Sequence, residues 1–187
     1  MCYMSERRDE LIEKALDYFL DHGVAGLSLR PLAAEIGTSA RLLVYHFRSK
    51  DGLIQAVMDE VRARVQTSFA ATSERSGKGS AHVMHSFWSW VIRPANARLL
   101  KLLFEVQVLA LQNPRVYARY LEGTSSSWLA LIEASLPPVK ERRAAATLCA
   151  AVIDGLLLEY LATGDRRRTT EALNLFGRAM AGKEWRS

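Results

Sequence analysis

The chain has 187 residues, 49% of them hydrophobic and 24% charged, and 25 basic against 20 acidic side chains give a net charge of +5. That length suits one domain, or a small module joined to a larger one, and a modest positive balance permits a polyanionic partner without demanding one. Two cysteines, Cys2 and Cys149, are too few for a disulfide framework. The apolar stretch 99–111 is interrupted by Lys101, Glu105 and Gln107, no apolar run approaches the roughly 18 residues of a membrane span, and the N-terminus lacks the apolar core of a signal peptide. The expectation is a cytoplasmic protein with no membrane partner.

Ser5, followed by Glu6, is placed to cap a first helix. Leu11, Ile12, Ala15, Leu16, Phe19 and Leu20 then recur on one face of a 3.6-residue period, and Gly23 closes the helix as a residue free to take positive φ. Ser28 caps a second, short helix with Pro31 in its first turn and Leu32, Ala33 and Ile36 inward; Gly37 ends it. A third short helix spans Arg41 to Phe47. A fourth starts near Asp51, carries Leu53, Ile54, Val57, Met58, Val61 and Val65, and dissolves into the polar run 73–80. Beyond it, Pro94, Pro114 and Pro137-Pro138 separate apolar periodic blocks at 81–93, 95–112, 115–135, 139–163 and 168–182. No stretch alternates with a period of two, so the expectation is all-α, about nine helices and no strand.

The segment from Ser28 to Lys50 has the pattern of a helix-turn-helix. Two crossing helices need a small residue at the crossing, which Ala33 supplies. Four residues later the turn needs positive φ, which Gly37 supplies. Leu32, Ile36 and Leu43 are placed to pack the pair on the first helix, while Arg41, Leu42, Tyr45 and His46 fall near the face a major groove would meet.

From Leu27 to Val57, and above all in Tyr45-His46-Phe47-Arg48-Ser49-Lys50-Asp51-Gly52-Leu53, the chain resembles the TetR family of bacterial transcription regulators. The likeness covers about the first sixty residues; Arg41-Leu42 stands where the family usually opens its third helix with Gly-Thr or Gly-Ser, and Val44 where it often has a second tyrosine. The resemblance implies a helix-turn-helix DNA-binding domain at 1–52 and a helical effector-binding and dimerisation domain at 53–187. Tyr45 and Lys50 would bind phosphate. Ser28 and Arg30 would do the same at the start of the second helix. Thr38 and Ser39 would cap the third helix and touch the duplex, Arg41 would take a guanine, Leu42 a thymine methyl, and His46 would contact DNA or buttress Phe47.

Bulk charge is neutral on this point: residues 1–52 carry seven basic and eight acidic side chains, yet 38–50 hold Arg41, Arg48 and Lys50 and no acid. A groove reader needs positive charge only along that strip.

The block 139–163 is apolar nearly all round and must bury two faces. With the helix after it, the block would form a four-helix dimer interface, as the resemblance also implies; the candidates are Leu148, Val152, Leu156, Tyr160, Leu173, Phe176 and Met180. The resemblance implies a pocket for a small, largely apolar effector among the middle helices. Met84, Phe87, Trp88, Phe104, Val108, Tyr117, Leu121 and Trp128 lie at helical spacings suited to line it, with Gln107 and Asp154 as polar groups to orient the effector. His82 and His85 lack a third ligand nearby, and no nucleophile elbow is present, so no metal, cofactor or catalytic residue is expected. The sequence leaves two functions open: a ligand-responsive homodimeric repressor on a palindromic operator, or an all-helical binding protein or enzyme whose helix-turn-helix is vestigial or contacts protein.

Overall fold

A computed structural model of the chain describes residues 2–75, 80–136 and 140–181, with side chains within 6–68, 84–123, 129–136 and 140–180. Among these residues there are nine helices and no strand: α1 (Cys2–His22), α2 (Leu29–Glu35), α3 (Ala40–Phe47), α4 (Lys50–Arg75), α5 (Ser80–Val91), α6 (Pro94–Gln112), α7 (Ala118–Ser135), α8 (Arg142–Thr163) and α9 (Arg166–Ala181). Several boundaries differ from expectation by one to three residues. Ser5 lies inside α1, which starts three residues earlier. The helix expected from 115 begins at Ala118, because the carbonyl of Asn113 takes the N–H of Val116 and of Tyr117 in a turn.

The chain divides into two compact units, Met1–Val65 with Arg98–Glu122, and Gln66–Ala97 with Gly123–Ser187. In the first, Leu11, Ala15, Leu16 and Phe19 of α1 are buried with Leu32 and Ala33 of α2, Leu43 and Phe47 of α3, and Leu53, Ile54, Val57 and Val61 of α4. Each large side chain removed from water contributes about 1.5–3 kcal/mol. The turn that joins α2 to α3 runs through Gly37 at φ 69°, as expected. Ser39 caps α3, its hydroxyl accepting the N–H of Leu42 at 3.1 Å. The next corner is tighter. Arg48 sits at φ 70°, a conformation that costs a non-glycine residue about 1–2 kcal/mol. Ser49 then caps α4 by accepting the N–H of Gly52 at 3.0 Å. A Cβ on Gly52 would lie 2.1 Å from the carbonyl oxygen of Phe47, so only glycine allows α4 to start this close to the end of α3.

In the second unit α9 packs on both α5 and α8. Trp88, Val91, Ala145, Ala146, Cys149, Ile153, Leu157 and Leu173 are buried. The indole N–H of Trp88 donates to the Thr170 hydroxyl at 2.8 Å, so a large buried aromatic keeps its one polar atom satisfied. Gly164, at φ 69°, ends α8. The 22 residues of α8 are long and apolar enough to cross a membrane by length and composition, so the expectation that no apolar run reaches that size does not hold. Its buried stripe, Ala145, Ala146, Cys149, Ile153 and Leu157, instead makes it a core helix of this unit.

Candidate nucleic-acid interface, effector residues and dimer face

Burial of Leu43 and Phe47 fixes the rotation of α3, which leaves Arg41, Val44, Tyr45 and Arg48 turned to water at spacings of three and four residues. Tyr45 is 59% and Val44 44% exposed, a large investment of apolar surface on a short helix. Lys50, at the start of α4, and Arg30, on α2, are exposed as well.

Cation pairing varies across this unit. Arg7, Lys14, Arg62, Arg64, Arg98 and Arg119 each meet a carboxylate. Arg30, Arg41, Arg48 and Lys50 form no ion pair among the described residues. Three of the acids of α1 are engaged by cations: Glu10 is held by Arg7 and Lys14, Glu13 by Arg64, and Asp21 by Arg98.

Individual residues depart from their expected roles. Ser28 has the extended backbone of a capping residue, but its side chain makes no capping bond, so the exposed hydroxyl is free for another acceptor or donor. Thr38 caps nothing: its Oγ1 is buried without a hydrogen-bond partner. Leu42 is half-buried, with its N–H committed to Ser39. The His46 ring meets Tyr45 at 5.2 Å edge-on and Phe47 at 6.2 Å, which favours the buttressing role. Phe47 is also covered by the Arg8 guanidinium, 5.3 Å from its ring centre. Val44 and Arg48 were not among the expected contacts. The three- and four-residue steps from Arg41 through Tyr45 were the signal for both.

The expected effector residues fall in both units. In the first, Tyr117 is buried, and its hydroxyl donates to Asp51 Oδ1 at 2.7 Å; burial and that carboxylate push the phenol well above its ordinary value. Phe104 and Leu121 are half-buried. Val108, 55% exposed beside the more open Leu111, faces water and lines no buried space. Gln107 differs from its neighbours: its Oε1 is buried without a partner, a vacancy that costs about 1–3 kcal/mol.

In the second unit Met84 and Phe87 are buried, with Phe87 stacked on Trp90, and Trp88 is core, as its bond to Thr170 indicates. The Trp128 side chain lies outside the described residues. Asp154 is open to solvent beside Gly155, although the surrounding protein still raises its carboxyl by desolvation.

Of the expected dimer residues, Leu148 is exposed, and Val152, Leu156, Tyr160, Phe176 and Met180 are half-buried. Leu173 is 2% exposed, core of its own unit and closed to a partner. Tyr160 is turned inward, its hydroxyl donating to the Ile92 carbonyl at 3.4 Å. The open face of α8 instead runs through Leu148, Ala151, Gly155 and Leu158, and α9 exposes Leu175. A row of small residues between leucines was the available signal.

The profile of the bacterial regulatory proteins of the tetR family matches residues 11–57, the stretch that holds α2, α3 and the corner into α4. The likeness continues beyond it. Over 84% of both chains, the sequence is 28% identical to the HTH-type nicotine-responsive transcriptional repressor HdnoR of Paenarthrobacter nicotinovorans. It is 29% identical to the HTH-type transcriptional regulator BetI of Burkholderia thailandensis, over 90% of this chain and 89% of that one. The chain is a TetR-family transcriptional regulator. These relatives are DNA-binding regulators and not enzymes, which removes the enzymatic reading. Among solved structures, the multidrug binding protein EbrR complexed with imidazole superposes on this TetR-family chain with a TM-score of 0.70 at 27% identity, over 92% of this chain and 89% of that one.

Proposed function

We propose that this TetR-family protein is a homodimeric repressor that binds a palindromic duplex operator through α3 and is released by a small, largely apolar effector. Residues 1–52 serve as the DNA-binding module and 53–187 as the effector-binding and dimerisation region. The observation that carries this reading is the set Arg30, Arg41, Arg48 and Lys50, none of them ion-paired among the described residues, on and beside an exposed recognition helix. Lys50, Arg30, Tyr45 and the free Ser28 hydroxyl take phosphates, Arg41 takes a guanine edge, and Ser39 presents the helix start. A regulator of this kind works beside the chromosome, which places it in the cytoplasm.

Two helix-turn-helices are needed to read a palindrome, and the exposed leucines of α8 and α9 support a twofold pairing that covers them. For the effector, the buried unpartnered oxygen of Gln107 supports a ligand that brings a hydrogen-bond donor to α6. Relatives respond to or bind nicotine and imidazole, so nitrogen heterocycles are the first class to offer. An effector that favours the non-binding form by about 1–3 kcal/mol suffices for induction, with α4 as the lever that alters the separation of the two recognition helices.

The test is a titration of operator-bound protein with a panel of nitrogen heterocycles that begins with nicotine and imidazole. The reading predicts release by a panel member from the native chain and a weakened response in Gln107→Leu. Release that is equal in both chains removes Gln107 from the effector site, and operator binding indifferent to the whole panel contradicts this effector class.

A further inference from the structure

One carboxylate of α6 holds the corner between α1 and α2. Glu105 Oε1 accepts the backbone N–H of Val24 at 2.8 Å and of Ala25 at 2.7 Å, across about 80 residues of sequence. Both donors lie just after Gly23, which leaves α1 at φ 73°. A Cβ on Gly23 would sit 2.9 Å from both carboxylate oxygens, so the glycine serves the close approach as well as the turn. Seven residues earlier, on the same face of α6, Arg98 donates to Asp21 Oδ1 at 2.5 Å, so the two contacts straddle Gly23. The Arg98–Asp21 pair is exposed on both sides and contributes little. The charge-assisted pair of bonds at Glu105 is the stronger tie.

The corner matters because α2 starts only four residues after Ala25 and carries α3 packed on it. Glu105 and Gln107 are two residues apart, about 200° around the helix. One face of α6 therefore grips the corner, and the other carries the orphan acceptor.

We propose that Glu105 is the positioning residue through which α6 sets the pose of the helix-turn-helix, and with it the affinity for DNA. With the carboxylate seated, α2 and α3 are held in the DNA-reading pose. A donor ligand at Gln107 that shifts α6 withdraws the carboxylate and frees the corner. The first statement needs only a DNA-binding chain; the second rests on the effector reading above.

The test uses the full chain and the variants Glu105→Ala, Glu105→Gln and Glu105→Asp. It compares amide hydrogen exchange at Val24 and Ala25, affinity for an operator duplex recovered by selection, affinity for an unrelated duplex of equal length, and the thermal midpoint. Glu105→Ala is expected to speed exchange at both amides by about tenfold or more and to lose operator affinity by about tenfold, with binding to the unrelated duplex within about twofold. Glu105→Gln, which keeps a carbonyl acceptor, recovers most of the operator affinity, and the shorter Glu105→Asp does not. Operator affinity within about twofold of the native chain in Glu105→Ala, with a lowered thermal midpoint, makes Glu105 a stabilising residue only and overturns the proposal. If Glu105→Ala fails to fold, the Gln and Asp variants decide by the same criterion. Exchange needs no operator: unchanged protection of Val24 and Ala25 in any folded variant that removes the acceptor overturns the tie even if no specific duplex is ever found.

Discussion

Helices α3 and α8 each leave unusual side chains in water, and the two open faces differ in kind. On α3 the open face carries Arg41, Tyr45 and Arg48 around a single valine, with Arg30 and Lys50 nearby and no acid paired to them. On α8 it carries Leu148, Ala151, Gly155 and Leu158. The first face suits a hydrated polyanion, the second a surface that excludes water. Their glycines differ as well. Gly52, beside α3, is fixed by its own chain, since a Cβ there meets the Phe47 carbonyl, whereas a Cβ on Gly155 meets nothing within 4 Å.

That contrast gives the largest expected effect. Gly52→Ala forces the α3–α4 corner apart and should cost about 3 kcal/mol or more, read as a drop of at least about 6 °C in the thermal midpoint. Next comes the α8 face. Leu158→Glu places a charge where a partner's leucines would sit, and unchanged folding of the single chain should accompany at least about 100-fold weaker self-association by sedimentation. An unchanged association constant would remove α8 from the interface. On α3, Arg41→Ala should cost about 1–3 kcal/mol at one base position, whereas Lys50→Ala should weaken all sequences alike and reduce the salt slope by about 1.

The smaller effects sharpen the same comparison. Gly155→Ala should stabilise α8 within one chain by about 0.5–1 kcal/mol, yet weaken self-association if a partner helix packs against that glycine. Last is an acid effect at the start of α9. The backbone N–H of Arg168, and then the charge of its side chain, hold the Asp165 carboxyl below its ordinary value. A lowered folded value means a contribution that is present above the ordinary carboxylate range and lost as pH falls through the folded one. Asp165→Asn should therefore lower stability slightly in the neutral region, flatten part of the acid limb of a stability–pH curve, and converge on the native chain at low pH.

How far the sequence could be read follows the same division. Ala33, Gly37 and Ser39 were legible because each answers a local backbone demand: a close crossing, a positive φ and an orphan N–H. Where such a residue answered no demand, reading failed. Ser5 lies within α1, the Ser28 hydroxyl makes no capping bond, and Thr38 is buried without one. In the second half, apolar side chains occur on both faces of α8, and periodicity alone does not say which faces its own unit. The neighbouring α9 settles that, burying Leu173 and leaving Leu175 open. Glu105 was legible only as an interruption of an apolar stretch, since its partners are backbone N–H groups about 80 residues away.

The most direct measurement is selection of the purified full chain against a randomised duplex DNA library at physiological salt, followed by sequencing of the bound fraction. The account predicts an enriched palindrome with two half-sites about one helical turn apart, lost from the selection when Arg41 and Lys50 are replaced by alanine. Enrichment of nothing above nonspecific binding, with and without metabolite extract, would contradict it.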